Sequence, residues 1–213
     1  MRSFSLIRAL SLAGCVSPRE ERASQYNDDG VYLFGHGAYD LAREDFQAAL
    51  VMKPDDPAML YNLAECYHHE GAFSLAERYY TQCLEREPNH VPCRSALARL
   101  LVQEGRSDEA QRMIGDWINR EPSKADPYAL DGWFAHQAGD LPRAQARLQQ
   151  ALERDPHHQR ALIELGLLYE AMNRPDRAVA IYERVVEDDP EQKEVKKRQD
   201  GLLAKGAGKP QLD

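Results

Sequence analysis

Proline recurs at Pro54, Pro88, Pro122, Pro156 and Pro190, always at an interval of 34 residues. A constant period of about 20 to 50 residues marks stacked supersecondary units, each able to bury its apolar face only against its neighbours. The register divides the chain into residues 23–56, 57–90, 91–124, 125–158 and 159–192, and the same residue types return in the same columns. Alanine stands twelve before the proline at Ala42, Ala76, Ala110, Ala144 and Ala178. A bulky apolar residue stands eight before it at Phe46, Tyr80, Ile114, Leu148 and Tyr182. Seventeen before it come Gly37, Gly71, Gly105 and Gly139, with Asn173 last; both residue types accept the left-handed conformation that ends a helix. Each block therefore reads as helix, tight turn, helix, closed by the proline.

The second block shows the pattern most fully. Leu60, Leu63, Ala64 and Tyr67 lie three or four apart on one face of its first helix, and Ala76 and Tyr80 share a face of its second. Pro57, Pro92 and Pro127 fall in first turns, where a missing N–H does no harm, with Asp56 and Asp126 placed as N-caps. Ser74 with Glu77 reads as a capping box on the second helix of the same block. Residues 193–205 read as a capping helix with a polar outer face, and 206–213 as a flexible tail.

Leu60, Leu63, Ala64, Tyr67, Gly71, Ala76, Tyr80 and Pro88 together resemble the tetratricopeptide repeat signature, and the resemblance covers residues 23–192. It implies an all-α solenoid of five 34-residue units, ten antiparallel helices, plus the C-terminal capping helix. It also implies a binding scaffold and not an enzyme. In such proteins the fifth, ninth and twelfth residues of each unit face a concave groove that takes a peptide or partner helix. Carried over, the groove is lined by Asn27, Val31, Phe34, Tyr61, Glu65, His68, Ser95, Arg99, Val102, Trp133, His136, Ile163, Leu167 and Glu170. The resemblance does not extend to the clamp that grips a C-terminal carboxylate, since only Asn62 fits and Pro92 and Ala96 stand where basic residues belong.

Some positions depart from their columns. Arg94 occupies one held elsewhere by Tyr26, Leu60, Tyr128 and Leu162, and Trp117 replaces the small residue of Ala49, Cys83 and Ala151, with Ala135 as a compensating gap. Asp29 and Asp131 stand in the column of Leu63, Leu97 and Leu165, either as ligand contacts or as partly solvated carboxylates at an imperfect interface.

A formal charge of −8 without a basic stripe argues against nucleic acid as partner. Catalytic groups at a usable spacing are missing, and no cofactor motif occurs. The histidines do not read as a metal site. His68 and His69 point about 100° apart on a helix, His136 lies two repeats from His68, and His157 and His158 fall in an inter-repeat turn, expected as a solvated loop. Cys83 shares its column with Ala49 and Ala151, and Cys66, Cys83 and Cys93 read as core filler, although Cys83 and Cys93 flank one turn and a disulfide between them is open in an oxidising compartment.

At the N-terminus, Arg2 and then Arg8 precede a short apolar run that ends Leu12-Ala13-Gly14-Cys15. This resembles a bacterial lipoprotein signal: residues 1–14 would be the signal peptide, Cys15 the lipidated first residue and 15–22 a tether, with Val16 favouring the outer membrane over retention. Arg8 interrupts an apolar core that usually runs about 7 to 15 residues, so a cytosolic N-terminus is the alternative. The resulting expectation is an envelope scaffold or assembly lipoprotein with periplasmic repeats, similar to the small outer-membrane lipoproteins of this class, pilotins among them. A soluble cytosolic adaptor and an accessory subunit of an envelope enzyme are the alternatives.

Overall fold

The structure is a computed structural model and describes residues 17–208. Those residues form eleven α-helices: α1 Pro18–Gly35, α2 Tyr39–Met52, α3 Pro57–His69, α4 Phe73–Arg86, α5 Val91–Gln103, α6 Ser107–Arg120, α7 Asp126–Gln137, α8 Leu141–Arg154, α9 Gln159–Ala171, α10 Pro175–Asp188 and α11 Lys193–Ala204. No strand occurs among them, and none is long and apolar enough to cross a membrane. The chain is all-helical, with consecutive helices paired in the manner of a tetratricopeptide solenoid. It divides into two compact units, up to Leu100 and from Leu101 onward.

In the first unit α1 pairs with α2 and α3 with α4. The turns are made by Gly37 and Gly71, at φ 77° and 75°, as their column predicts. Each turn is closed by an amide of the following residue reaching back to the first helix, Ala38 to the Leu33 carbonyl and Ala72 to that of Tyr67. Ala42, Phe46, Leu63 and Cys66 form one apolar cluster, and Leu60, Cys83 and Cys93 another. Gly30 permits the closest approach of α1 and α2, because a Cβ there would lie 2.7 Å from the Phe46 ring.

The second unit repeats the device. Gly132 lies against Leu148 and Gly166 against Tyr182, each too close for a side chain. Its core runs through Tyr128, Leu148, Leu162, Leu165, Tyr182 and Val185 to Val195 of α11, so the last helix covers an apolar end as expected. Asn173, at φ 55°, makes the turn that glycine makes elsewhere.

Several expectations are corrected. α1 starts at Pro18, so residues 18–22 of the expected tether are helical. The cause is a capping box: the Ser17 hydroxyl accepts the Glu20 amide at 3.2 Å, and the Glu20 carboxylate accepts the Ser17 amide at 3.0 Å. Ser74 and Glu77 form no such box, because the turn delivers α4 at Phe73 with Ala72 as its uncapped N-cap. Asp56 caps α3 as expected, accepting from the amides of Ala58 and Met59. Asp126 instead lies inside α7 and meets His158. The start of the expected tail is held, with the Gly208 amide donating to Asp176 at 2.9 Å. Cys15 and the rest of the expected signal, like residues 209–213, lie outside the described residues.

Arg94, an apparent misfit, makes the same kind of bond as Tyr128 in the next repeat. Its guanidinium donates to the Pro88 carbonyl, and one period on the Tyr128 hydroxyl donates to the Pro122 carbonyl at 3.2 Å. Both satisfy the oxygen of the helix-closing proline that no helix bond reaches. Trp117 and Ala135 are both buried.

Candidate functional site

First helices present the expected groove residues, and apart from Ser95 none of them is fully buried. Ser95 is enclosed and drops out, because residues 93–98, more than a full helical turn, are all buried, so this part of α5 is covered on every side. In the first unit a pocket of about 210 Å³ opens between α1 and α3, lined by Val31, Phe34, Phe46, Tyr61, Asn62 and Glu65. Four of these were expected. Phe46 and Asn62 were not: Phe46 reads as core, yet its ring forms part of the pocket wall where Gly30 leaves α1 without a side chain. Val31, 51% exposed, is the most open apolar lip.

The polar groups around this pocket are held in place. Asn62 donates to the Asn27 side chain at 2.9 Å, tying α3 to α1. The Tyr80 hydroxyl, from α4 behind, donates to Glu65, and His68 Nδ1 lies 3.4 Å from the same oxygen. Burial first, and the Glu65 hydrogen bond second, push the Tyr80 phenol upward, so it remains a donor. Phe34 packs edge-on against Tyr39 and His69, both at 5.1 Å. Arg99 is half-buried on α5. The result is an apolar cup with one fixed carboxylate on its rim, fit to take an apolar side chain and one N–H donor.

The second unit presents Val102, Trp133, His136, Ile163, Leu167 and Glu170, all half-buried. Ile163 rests on the core. Glu170 accepts the Tyr182 hydroxyl at 2.5 Å and lies 3.4 Å from Arg198 of α11. The Tyr182 phenol is raised by burial and by that bond, as at Tyr80.

Asp131 is neither a ligand contact nor a solvated carboxylate. It is 2% exposed, with Arg143 at 2.6 Å and Arg147 at 2.7 Å, both from α8. His158 is not a solvated loop residue either. Its Nδ1 accepts the Ala161 amide at 3.1 Å, capping α9, while Nε2 faces Asp126 at 3.2 Å. His157 is exposed, as expected, and pairs with Asp188.

Cys83 and Cys93 are joined by a disulfide that links the end of α4 to the first turn of α5. His90, which shares its column with Lys124 and His158, accepts the Cys93 amide through Nδ1 at 3.2 Å. Cys83, His90 and Cys93 place their ligand atoms within 4.8 Å of one another. Spacing along one helix does not reveal this trio, because it is assembled across a turn.

Paired helices on a 34-residue register, with a shaped apolar cup on the first-helix face, define a helical repeat scaffold for protein–protein contacts. The chain belongs to the tetratricopeptide repeat family: residues 68–130 and 135–205 match one tetratricopeptide repeat profile and residues 28–91 a second. It is similar to a thermophilic tetratricopeptide repeat protein of Thermus thermophilus, at 25% identity and a TM-score of 0.70, covering 85% of this chain and 99% of that one. PilF of Pseudomonas aeruginosa is similar at 15% identity and a TM-score of 0.61, covering 89% and 92%. MamA from residue 41 onward, of Desulfovibrio magneticus, is similar at 18% identity and a TM-score of 0.51, covering 84% and 99%. The last two are likenesses of fold. No curated protein matches the chain in sequence.

Proposed function

We propose that the protein is a non-enzymatic assembly lipoprotein of a bacterial envelope, tethered through Cys15, that grips an apolar side chain of a peptide or partner helix in the cup of its first unit. The observation that carries the binding reading is the cup itself: Val31, Phe34, Phe46 and Tyr61 line an open apolar space beside a carboxylate already fixed by Tyr80. Rigid aromatic walls around a small apolar space are what a binding hot spot requires. The envelope reading draws support from the Cys83–Cys93 disulfide, since such bonds persist in oxidising compartments and are rare in the cytosol.

Panning a random-peptide library against the purified protein tests the binding. Enriched peptides are expected to carry an apolar anchor and to lose at least about tenfold in affinity to a Val31→Asp, Tyr61→Ala variant of unchanged helicity. Equal affinity for the variant sinks the cup as the site. Intact mass from a membrane fraction, beside a Cys15→Ser variant, tests the anchor. A mass for cleavage before Cys15 plus acyl chains is expected, and an unmodified chain starting at Met1 returns the protein to the cytosolic adaptor reading.

A further inference from the structure

Cys83, His90 and Cys93 do not line the cup, although the His90 ring lies 5.9 Å from that of Tyr61 on the cup wall. Cys83 lies in the last turn of α4, His90 is the residue before α5 and Cys93 is in the first turn of α5, so the tight connection between two helices gathers all three. Both cysteines are fully enclosed and the imidazole is half-buried at the edge of the pair. We propose that Cys83, His90 and Cys93 are a redox-gated metal site: oxidised, the pair is a disulfide; reduced, the two thiolates and the imidazole bind one soft d10 cation of the zinc kind.

The geometry fits that cation. Bonds of about 2.3 Å to sulfur and 2.0 Å to nitrogen at a tetrahedral centre place ligand atoms roughly 3.5–3.8 Å apart. The three ligand atoms here already fall within 4.8 Å, and the cysteine Cα atoms, 6.6 Å apart, are at the wide end of what a disulfide spans. The sulfurs therefore reach thiolate spacing by side-chain rotation, with both helices where they are. The His90 Nδ1 lone pair now accepts the Cys93 amide, and a metal would take that lone pair in place of the amide bond. Two thiolates balance a divalent charge inside an enclosed site, and the nitrogen–sulfur set selects a soft cation over magnesium or calcium. Three protein ligands leave one tetrahedral position for water or a group from a partner.

The chemistry balances through a dithiol. A dithiol reductant gives two electrons and two protons to the disulfide, becoming a disulfide itself and leaving Cys83 and Cys93 as thiols. Zinc then replaces their two protons, which leave to solvent. Oxidation of the bound thiolates to the disulfide by an exchanged disulfide oxidant ejects the metal. Cys66 does not compete, since burial pushes its thiol up to about 12.

The test uses the full chain in a Cys15→Ser background, so that no other accessible thiol binds metal. The protein is prepared oxidised and phosphine-reduced, and Cd2+ is titrated while the ultraviolet thiolate-to-cadmium band is read; Zn2+ affinity follows by competition with a chromophoric chelator. About one metal per reduced chain is expected, with none on the oxidised chain. His90→Asn keeps a good N-cap but removes the imidazole, and it is expected to lose at least about tenfold in Zn2+ affinity; Cys83→Ser abolishes the cadmium band. Zn2+ is also expected to raise the melting midpoint of the reduced protein and leave the oxidised one unmoved. Reduced, helical protein that yields no band, or a band and affinity unchanged in His90→Asn, overturns the proposal.

Discussion

Asp131 occupies a column of leucines, yet it is enclosed by its own repeat with an arginine on each carboxylate oxygen. Burying a carboxylate is tolerable only when it is paired, and the two sides of this arrangement differ. Arg143 and Arg147 each keep a third of their side chains in solvent, so without Asp131 they turn outward. Asp131 has no such escape. Arg143→Ala with Arg147→Ala is therefore expected to cost about 3–5 kcal/mol and Asp131→Ala clearly less, as read from urea midpoints. Asp126 offers a pH readout. The His158 hydrogen bond holds its carboxyl below the ordinary 3.8, with burial opposing. Because the folded value is the lower one, the stabilisation is fully present above the ordinary value and lost as pH falls through the folded one. The stability gap between the wild type and Asp126→Asn should be full above the ordinary carboxyl value and close as pH falls through the lower folded one. Neither pairing is legible along the sequence. The partner of Asp131 lies across a helix turn and that of Asp126 is 32 residues away.

At the scale of the element, the 34-residue columns predict helix pairing and turn placement because each column performs one local task. The four turn glycines all sit at positive φ, and nothing lies within 4 Å of a Cβ built on any of them. Alanine at Gly37, Gly71 or Gly139 thus meets only conformational cost, and each is expected to lower stability by about 1–2 kcal/mol, equal within error, in thermal melts. Gly166→Ala differs in kind. Its Cβ would fall inside the van der Waals shell of the Tyr182 ring, and that ring is held by the hydroxyl bond to Glu170. Overpacking of about 1–3 kcal/mol there outweighs the gain of about 1 kcal/mol in helix propensity. Capping is where column reasoning gives out. Ser17-Pro18-Arg19-Glu20 is a capping box in plain sequence, but it follows residues that resemble a lipoprotein signal and so reads as tether; Ser74 and Glu77 have the right spacing but the wrong helix start. The pocket follows the same logic, since Val31, Phe34, Tyr61 and Glu65 come from columns and Phe46 joins them only through the missing Cβ of Gly30.

In the whole molecule, stability is a sum over repeats and their nearest neighbours, so a local constraint acts mainly where it lies. The Cys83–Cys93 disulfide belongs to the first unit, and its sequence separation of 10 closes a short loop. Chain-entropy reasoning gives such a loop about 2–3 kcal/mol, against a total of roughly 5–15 kcal/mol for an ordinary domain. Reduction therefore leaves the protein folded but lowers the free energy of opening near the bond. The second unit has its apolar end covered by α11 through Val195 and contains no cysteine. Native-state hydrogen exchange in the absence of metal, compared before and after reduction, should show protection in α3 and α4 falling by about thirty- to hundredfold, with α8 to α10 nearly unchanged. An equal fall in both units would mean that the chain opens as one cooperative body, and the disulfide would then stabilise the whole array in place of its first unit.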